Sequence, residues 1–412
     1  MSSVLLLSNG HGEDLSGALI GAGLIAEGVA VEALPLVGHG TAYRQRGIRV
    51  IGRTRECSTG GLGFTSLRGQ LSELLEGQVA HVLGNLLVLI RRRNRHSLVV
   101  AVGDVVAVLG AWLGGRRSAV YLVAYSSHYE GALRLPWPCG WLLRRKTVQA
   151  IWSRDVLTAQ DLSGQLRRPV TFLGNPFLDA ALGPDPAPPP EAQISQTTST
   201  PSTPPLLALL PGSRLPEAAQ NLELMVQMLT LLPQALQQPG RLRLQAALVP
   251  GLDAELLQTL GARRGWQWMG PNRLRHGHLV LDLVWSNLTA VLADSDLVLA
   301  MAGTATEQAV GLGRPVLQLV GAGPQFTEGF AEAQRRLLGP GVVCAPTGST
   351  PTASLRASAQ LAAELLTRLK TPETATALKR QLTATAAERI GQPGGTQRMT
   401  AAIMGLLSRT HG

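Results

Sequence analysis

Two short turns in the second half of the sequence carry residue types that suit a phosphate-bearing ligand. The turn PGSR at 211–214 follows one apolar run, and Gly303-Thr304 follows another. Glycine lets the backbone approach a phosphate, and the guanidinium of Arg214 can donate two parallel hydrogen bonds to a diphosphate. Glu307 could accept hydrogen bonds from two hydroxyls, such as the diol of a ribose. Each turn alone is equally well explained as an ordinary surface turn, but the pair predicts a nucleoside-diphosphate site.

Two apolar runs in the first half are followed by groups that could move a proton. His11 lies in a glycine-rich loop after the run at 4–7, and Asp104 follows the run at 98–102. A histidine has an ordinary pKa of about 6.5, which suits a general base near neutral pH. Asp104 lies at the strand end where open α/β sheets bind ligands, so we favour it over His11. The structural alternatives stay open: a helix N-cap for Asp104 and a loop-stabilising hydrogen bond for His11.

The elements around these residues alternate between strand and helix in both halves. Around the second turn, 297–300 predicts a buried strand, 305–310 a short helix and 316–320 the next strand. The first half opens with the same alternation between Val4 and Leu36. This pattern is typical of open α/β sheets, whose ligands bind outside the carboxyl ends of the strands.

A segment of different composition separates the two halves. Gly183 to Pro205 is rich in proline, serine and threonine and has no apolar periodicity, which predicts an extended linker. We therefore predict an N-terminal domain at 1–182, the linker at 183–205, a C-terminal domain at 206–390 and a final helix at 391–412.

The composition narrows the class of partner. The 412 residues include 37 Lys and Arg against 27 Asp and Glu, a formal net charge of +10, which favours anionic partners. Aromatic residues are only 4%, without a basic stripe that interleaves them, which argues against nucleic-acid binding. The three scattered cysteines form no CxxC pair, so we expect neither disulfides nor a cysteine zinc site, and a reducing compartment fits.

Two motifs resemble metal sites, but their context disagrees. Asp294-Ser295-Asp296 has the DxD pattern, yet it lies before its strand and opposite the predicted ligand edge. His276 and His278 are spaced for one face of a strand, but a third ligand is missing. We expect no metal. Nor do we predict a signal peptide, since the N-terminus lacks a basic region, or a spanning helix, since the run at 98–113 is short and contains an acid.

Longer stretches around these turns resemble a known enzyme family. LALLPGSRLPEAAQN at 207–221 and LAMAGTATEQAVGLGRPV at 299–316 are similar to lipid-A-disaccharide synthase, and more broadly to GT-B glycosyltransferases such as the peptidoglycan N-acetylglucosaminyl transferase. FLGNP at 172–176 resembles the synthase's hinge motif, although Asn175 stands where a histidine is usual. Gly12-Glu13-Asp14 resembles its acceptor loop, and Gly103-Asp104 is shorter than the family's aspartate motif.

The resemblance implies a GT-B fold, in which two Rossmann-like domains with parallel sheets face a cleft. The C-terminal domain would bind a UDP-sugar, the N-terminal domain a lipid-type acceptor, and the last helix would cross back to the first domain. The implied donor-binding residues are Gly212, Ser213, Arg214, Gly303, Thr304, Glu307 and Gln325. The implied acceptor-binding residues are Gly12, Glu13 and Asp14, of which the two acids could also cap the helix predicted at 15–27.

The implied reaction is an inverting transfer of an N-acetylglucosamine-type sugar, with Asp104 or His11 as base and with neither cofactor nor metal. Two alternatives share the fold: a UDP-sugar 2-epimerase and a non-catalytic protein that binds sugar nucleotides or lipids. Basic runs at 91–96 and 144–146, with an apolar loop near Leu62 and Phe64, suggest contact with an anionic membrane. We therefore expect a cytoplasmic protein at the inner face of the plasma membrane.

Overall fold

The chain folds into two compact units. In this computed structural model the first unit comprises Met1–Asp179 with Ile390–Gly412, and the second comprises Ala180–Arg389. The structure describes residues 2–54, 78–115, 117–129, 131–182, 204–321, 326–369 and 371–409. Three regions named above therefore lie outside the described residues: the loop near Leu62 and Phe64, nearly all of the linker, and Gln325. In the described part of the chain no helix is long and apolar enough to cross a membrane.

The first unit contains a parallel sheet of seven strands. Strands β1 to β7 span Ser3–Ser8, Ala30–Pro35, Arg49–Val50, Leu98–Val102, Ser118–Leu122, Val148–Ser153 and Thr171–Phe172. Their order is β3-β2-β1-β4-β5-β6-β7, and all pairs are parallel. Strands β4 and β5 are buried along their whole length, as expected for a sheet covered on both faces. The order reverses between β1 and β4, so the crevice at their carboxyl ends is where such sheets bind ligands.

In the described part of the first unit, seven helices connect or follow these strands. Helices α1 to α7 span His11–Ala26, Thr41–Arg44, Gln78–Arg91, Val105–Gly114, Cys139–Leu143, Val156–Leu166 and Pro176–Leu182. The glycines of α1 let it lie close to the sheet. A Cβ added at Gly21 would lie 2.8 Å from the Cδ1 of Leu6 and 2.6 Å from that of Ile48. Helix α1 begins four residues before the predicted start at Leu15, because its first turn is formed by the residues expected to be a loop.

The second unit contains a mixed sheet of eight strands. Strands β8 to β15 span Leu206–Leu210, Arg243–Leu248, Gln267–Trp268, Arg273–His276, Leu279–Trp285, Leu297–Ala300, Val316–Gln318 and Val342–Cys344. Their order is β10-β11-β12-β9-β8-β13-β14-β15, and only β11 runs antiparallel to its neighbours. The placement of His276 and His278 on one strand was wrong, because Gly277 makes the turn between β11 and β12 with a φ of 58°.

Helices α8 to α15 cover the second sheet, and α16 ends the chain. They span Glu217–Thr230, Gln234–Gln237, Ala254–Arg263, Leu288–Asp294, Thr304–Gly311, Glu328–Leu338, Pro351–Arg368, Pro372–Arg389 and Gly395–Ser408. Helix α16 belongs to the first unit and packs on α1. The strand order of this sheet also reverses at β8, which lies between β9 and β13. The carboxyl ends of β8 and β13 therefore form the second crevice.

Candidate functional site

The two predicted phosphate-binding turns lie side by side in the second unit. Strands β8 and β13 pair in parallel with Leu210 opposite Ala300, and the N–H of Met301 donates to the carbonyl of Leu210 at 2.8 Å. Gly212 has a φ of 104°, and a Cβ there would lie 2.9 Å from the carbonyl oxygen of Met301. Glycine is therefore required at this position, since the two backbones touch.

The second turn leads directly into α12. Gly303 precedes the helix and offers no side-chain cap to the first N–H groups of α12, which could therefore bind an anion. Thr304 starts the helix, Thr306 donates to the carbonyl of Ala302 at 2.6 Å, and Glu307 lies half-buried in the first turn. This arrangement puts donors for a phosphate and a carboxylate for hydroxyls on adjacent turns.

The first turn is held by a residue that the sequence did not identify. The Nδ2 of Asn221, on α8, donates to the carbonyl of Pro211 at 2.9 Å, and the side chain is buried. Ser213 is exposed and Arg214 half-buried between this turn and α8. Partial burial raises the pKa of Glu217, and the charge of Arg214 acts in the opposite direction. The guanidinium is thus positioned near the start of α8, beside the turn that it was predicted to serve.

A second group of predicted residues meets at the carboxyl ends of β1 and β4, in the first unit. Asp104 is the N-cap of α4: its Oδ1 accepts hydrogen bonds from the N–H groups of Val106 and Ala107 at 2.9 and 3.3 Å. Its Oδ2 accepts from the Nδ2 of Asn9 at 2.9 Å. Burial raises the pKa of Asp104, and these hydrogen bonds oppose the shift. Asp104 is therefore a helix N-cap, the structural alternative to a base. Its Oδ2 also contacts Asn9, in the loop that follows β1.

Glu13 bridges the same two strand ends. Its Oε2 accepts from the backbone N–H of Asn9 at 2.7 Å. A Cβ added at Gly103, where φ is 142°, would lie 2.7 Å from the Glu13 carboxyl group. The prediction that Glu13 caps the helix was wrong, because Glu13 lies inside the first turn of α1, next to Gly12.

Asp14 is a buried carboxyl group rather than a helix cap. Its Oδ1 accepts from the hydroxyl of Ser8 at 2.6 Å, and the hydroxyl of Tyr43 donates to Ser8 at 2.9 Å. Burial raises the pKa of Asp14 to about 7, although the Ser8 hydrogen bond lowers it. A Cβ added at Gly38 would lie 3.7 Å from both the Asp14 Oδ2 and the His11 ring. His11 and Asp14 therefore lie near the loop that follows β2, whereas Glu13 and Asp104 lie near the carboxyl end of β4.

The sequence also missed a polar network at the carboxyl ends of β5 and β6. Ser126 donates to Asp155 at 2.7 Å, Ser127 donates to Asp161 at 2.8 Å, and the backbone N–H of His128 donates to the hydroxyl of Ser126 at 3.2 Å. Because the Ser126 hydroxyl donates to a carboxylate, this network is not arranged as a serine nucleophile and its base. The available signal was the placement of polar residues after two strand ends.

The remaining motifs have structural positions. Asp296 accepts from the N–H of Leu206 at 2.8 Å, at the amino end of β8 and away from the candidate site. Asn175, from the hinge-like motif, is fully buried, accepts from the hydroxyl of Tyr121 and donates to the carbonyl of Arg154 at 2.8 Å. His276 packs against the ring of Trp266, with centroids 5.6 Å apart.

Comparisons with solved structures show a shared fold. No protein-family model and no curated protein sequence matches the chain. The complex of S. aureus MnaA with UDP aligns with a TM-score of 0.57 and 14% identity, over 99% of this chain and 97% of that one. The Methanocaldococcus jannaschii UDP-GlcNAc 2-epimerase, in complex with UDP-GlcNAc and UDP, gives 0.50 and 12%, over 98% and 99%.

A glycosyltransferase shows the same likeness. The spinosyn rhamnosyltransferase SpnG, complexed with thymidine diphosphate, aligns with a TM-score of 0.53 and 19% identity, over 94% of this chain and 98% of that one. At these identities the likeness concerns the fold. With its two Rossmann-like units, the chain has the GT-B fold.

Proposed function

We propose that the protein is a UDP-sugar enzyme: a glycosyltransferase that moves an N-acetylglucosamine-type sugar, with inversion, to a lipid-type acceptor at the cytoplasmic face of a membrane. The observation that carries the proposal is the contact between the turns after β8 and β13, which brings Arg214 and Glu307 to one edge of the sheet. The motifs similar to lipid-A-disaccharide synthase support the transfer reaction and the lipid-type acceptor.

In this proposal the second unit holds the donor. The backbone at Gly212 and Gly303, the hydroxyls of Ser213 and Thr304 and the guanidinium of Arg214 bind the diphosphate. Glu307 accepts the ribose hydroxyls. Gln325, outside the described residues, would contact the sugar.

The first unit supplies the acceptor residues and the base. Gly12, Glu13 and Asp14 line the acceptor end, and Asp104 takes the proton from the acceptor hydroxyl, with His11 as the other candidate. The raised pKa of Asp104 makes it a better proton acceptor than an ordinary carboxylate.

A UDP-sugar 2-epimerase is the second candidate, since one similar structure is such an enzyme with its sugar nucleotide. It would use the same donor turns without any acceptor. The first unit contains the several acids and the histidine that such a reaction needs: Asp14, Glu13, Asp104 and His11.

Calorimetric titration with UDP tests the shared part of the proposal. Arg214→Ala should weaken UDP binding roughly 10- to 100-fold, because charge-assisted hydrogen bonds contribute about 1.5–3 kcal/mol. The matched control is Arg263→Ala, an exposed arginine at the end of α10 in the same unit, which should leave the affinity unchanged. If wild type does not bind UDP, or both variants bind equally well, the donor site is wrong.

The two reactions are then separated by following UDP-N-acetylglucosamine with NMR. Formation of the C2 epimer without acceptor identifies the epimerase. Release of UDP that requires a lipid-type acceptor identifies the transferase. UDP binding without either reaction indicates the non-catalytic alternative.

A further inference from the structure

A tyrosine lies beside the candidate base in the first unit. Strands β4 and β5 pair in parallel, and just beyond β4 the N–H of Gly103 donates to the carbonyl of Tyr121 at 2.9 Å. The chain therefore leaves the two strands side by side, toward Asp104 after β4 and toward Tyr125 after β5. The hydroxyl of Tyr125 accepts a hydrogen bond from the backbone N–H of Val105 at 3.0 Å.

The start of α4 is capped by these two side chains together. Tyr125 accepts from the N–H of Val105, and Asp104 accepts from those of Val106 and Ala107. These are the first three N–H groups of the helix, so its start leaves none of them to a bound anion. This corner of the first unit therefore differs from the uncapped start of α12, and it suits a ligand that carries hydroxyl groups rather than a phosphate.

The hydroxyl of Tyr125 keeps a proton that it can donate. A phenolic hydroxyl is both donor and acceptor, and its oxygen already accepts from Val105. No acceptor for its proton is found in the described part of the chain. Burial and the charge of Asp104 raise the pKa of Tyr125 above its ordinary value of 10. The hydroxyl therefore stays protonated at neutral pH, and the side chain is only half-buried, so a ligand can reach it.

Asp104 keeps an acceptor position next to this donor. A carboxylate can accept about four hydrogen bonds. Val106 and Ala107 donate to its Oδ1, and Asn9 donates to its Oδ2, which leaves a position on Oδ2. Because Asp104 and Tyr125 cap the same helix start, the remaining donor and the remaining acceptor are neighbours. Such a pair is complementary to two oxygens on adjacent carbons, of which one belongs to a hydroxyl that donates.

The nearby thiol of Cys139 does not compete for this chemistry. Cys139 begins α5 and is fully buried. Burial and the charge of Asp104 raise its pKa to about 12. At neutral pH the thiol is therefore uncharged, and it is neither a nucleophile nor a base.

We propose that Tyr125 binds the acceptor beside Asp104: its hydroxyl donates to the oxygen next to the reacting hydroxyl, while that hydroxyl donates to Oδ2 of Asp104. This assignment rests on the proposed transferase with Asp104 as base, and it narrows the acceptor to lipids with a sugar-type headgroup. In the transfer the acceptor oxygen bonds to the anomeric carbon of the donor sugar, and the bond from that carbon to the diphosphate breaks. UDP leaves with the bonding electrons, the hydroxyl proton moves to Asp104, and Tyr125 keeps its own proton.

Steady-state kinetics with UDP-N-acetylglucosamine and octyl β-glucopyranoside, a sugar on an apolar tail, test the proposal with the full chain. Tyr125→Phe should raise the KM for octyl glucoside roughly 3- to 10-fold, because one hydrogen bond to the acceptor is lost. The KM for UDP-N-acetylglucosamine should stay unchanged. If Tyr125 only caps α4, the variant should instead have a lower melting temperature with both KM values unchanged.

The matched control is Tyr121→Phe, which removes a buried hydroxyl that donates to Asn175. It should lower the melting temperature and change neither KM. An unchanged KM for octyl glucoside in Tyr125→Phe, or an equal rise in Tyr121→Phe, would overturn the role of Tyr125 alone. If wild type binds UDP but transfers no sugar to octyl glucoside, the proposed acceptor is wrong, and the role of Tyr125 fails with it. If wild type does not bind UDP, the donor site itself is wrong.

Discussion

At the scale of single residues, Asp14 combines burial with a position near His11, the second candidate for the base. Its folded pKa of about 7 exceeds the ordinary value of 3.8 because burial disfavours the charge. Between these values the unfolded chain has lost a proton that the folded protein keeps, so stability should fall as pH rises from about 4 to about 7. The contribution is at most about 4 kcal/mol.

Asp14→Asn should remove this pH dependence, since an amide can still accept the Ser8 hydrogen bond and carries no charge. We expect the variant to be more stable than wild type at pH 8 and similar at pH 4, as measured by urea unfolding. A lower activity in this more stable variant would indicate that the buried acid serves the reaction. If the free energy of unfolding of the variant depends on pH as that of wild type does, the raised pKa does not belong to Asp14.

Asp161 provides a control of opposite sign. Although burial raises its pKa, hydrogen bonds from Leu133, Gln165 and Ser127 outweigh that effect and lower it. A lowered pKa stabilises the folded state above the ordinary value and loses that contribution as pH falls. Asp161→Asn should therefore cost stability at pH 7 and little at pH 3, the reverse of Asp14→Asn.

Asp104→Asn separates a catalytic from a capping role. Asparagine caps helices as well as aspartate does. The Oδ1 of Asn9, buried without a hydrogen-bond partner among the described residues, can turn to accept from the new amide. We expect stability within about 1 kcal/mol of wild type, with kcat lowered roughly 100- to 10,000-fold if Asp104 is the base. Retained activity, together with its loss in His11→Gln, would transfer that role to His11.

At the scale of secondary-structure elements, the sequence predicted best where a strand ends in glycine. Gly212 and Gly303 follow strands whose apolar runs are unambiguous, and parallel pairing brings such ends together. Predictions failed where helix ends lack local signals. Helix α1 starts after Gly10, which offers no side-chain cap, so the sequence placed its start too late. The networks of Asn9 and Ser126 depend on contacts between distant loops, which spacing alone cannot reveal.

Gly103 connects β4 to α4 and leaves room for the carboxyl group of Glu13. Gly103→Ala should destabilise the protein by about 1–3 kcal/mol, because a side chain disfavours its positive φ and displaces Glu13. Gly164→Ala is the control: Gly164 lies within α6 with open space around it, so alanine should stabilise the helix by about 1 kcal/mol. Thermal unfolding of both variants measures the difference, and equal shifts would contradict it.

At the scale of the whole molecule, the chain's last segment completes its first unit. The carboxylate of Asp179 accepts from the N–H groups of Gly394 and Thr396 at 2.6 and 2.7 Å. Arg398 donates to the carbonyls of Leu173, Gln392 and Pro393 at 2.7–2.9 Å. Residues more than 200 positions apart therefore form one cooperative region, whose boundary no local composition marks.

The contact between α1 and α16 allows a direct test of that cooperation. A Cβ added at Gly23 would lie 2.4 Å from the Oγ1 of Thr400, so Gly23→Ala should push the helices apart and destabilise the first unit by about 1–3 kcal/mol. Thr400→Ala removes that oxygen, which is buried without a hydrogen-bond partner among the described residues, and should be nearly neutral alone.

The double variant should recover most of the loss, giving a coupling energy of about 1–2 kcal/mol. Denaturant unfolding would be followed with and without UDP, which should stabilise only the transition of the second unit if the donor site is there. Gly23→Ala, alone or with Thr400→Ala, should shift the unfolding transition of the first unit. Strict additivity of the two single effects would mean that α16 does not hold α1 through this contact.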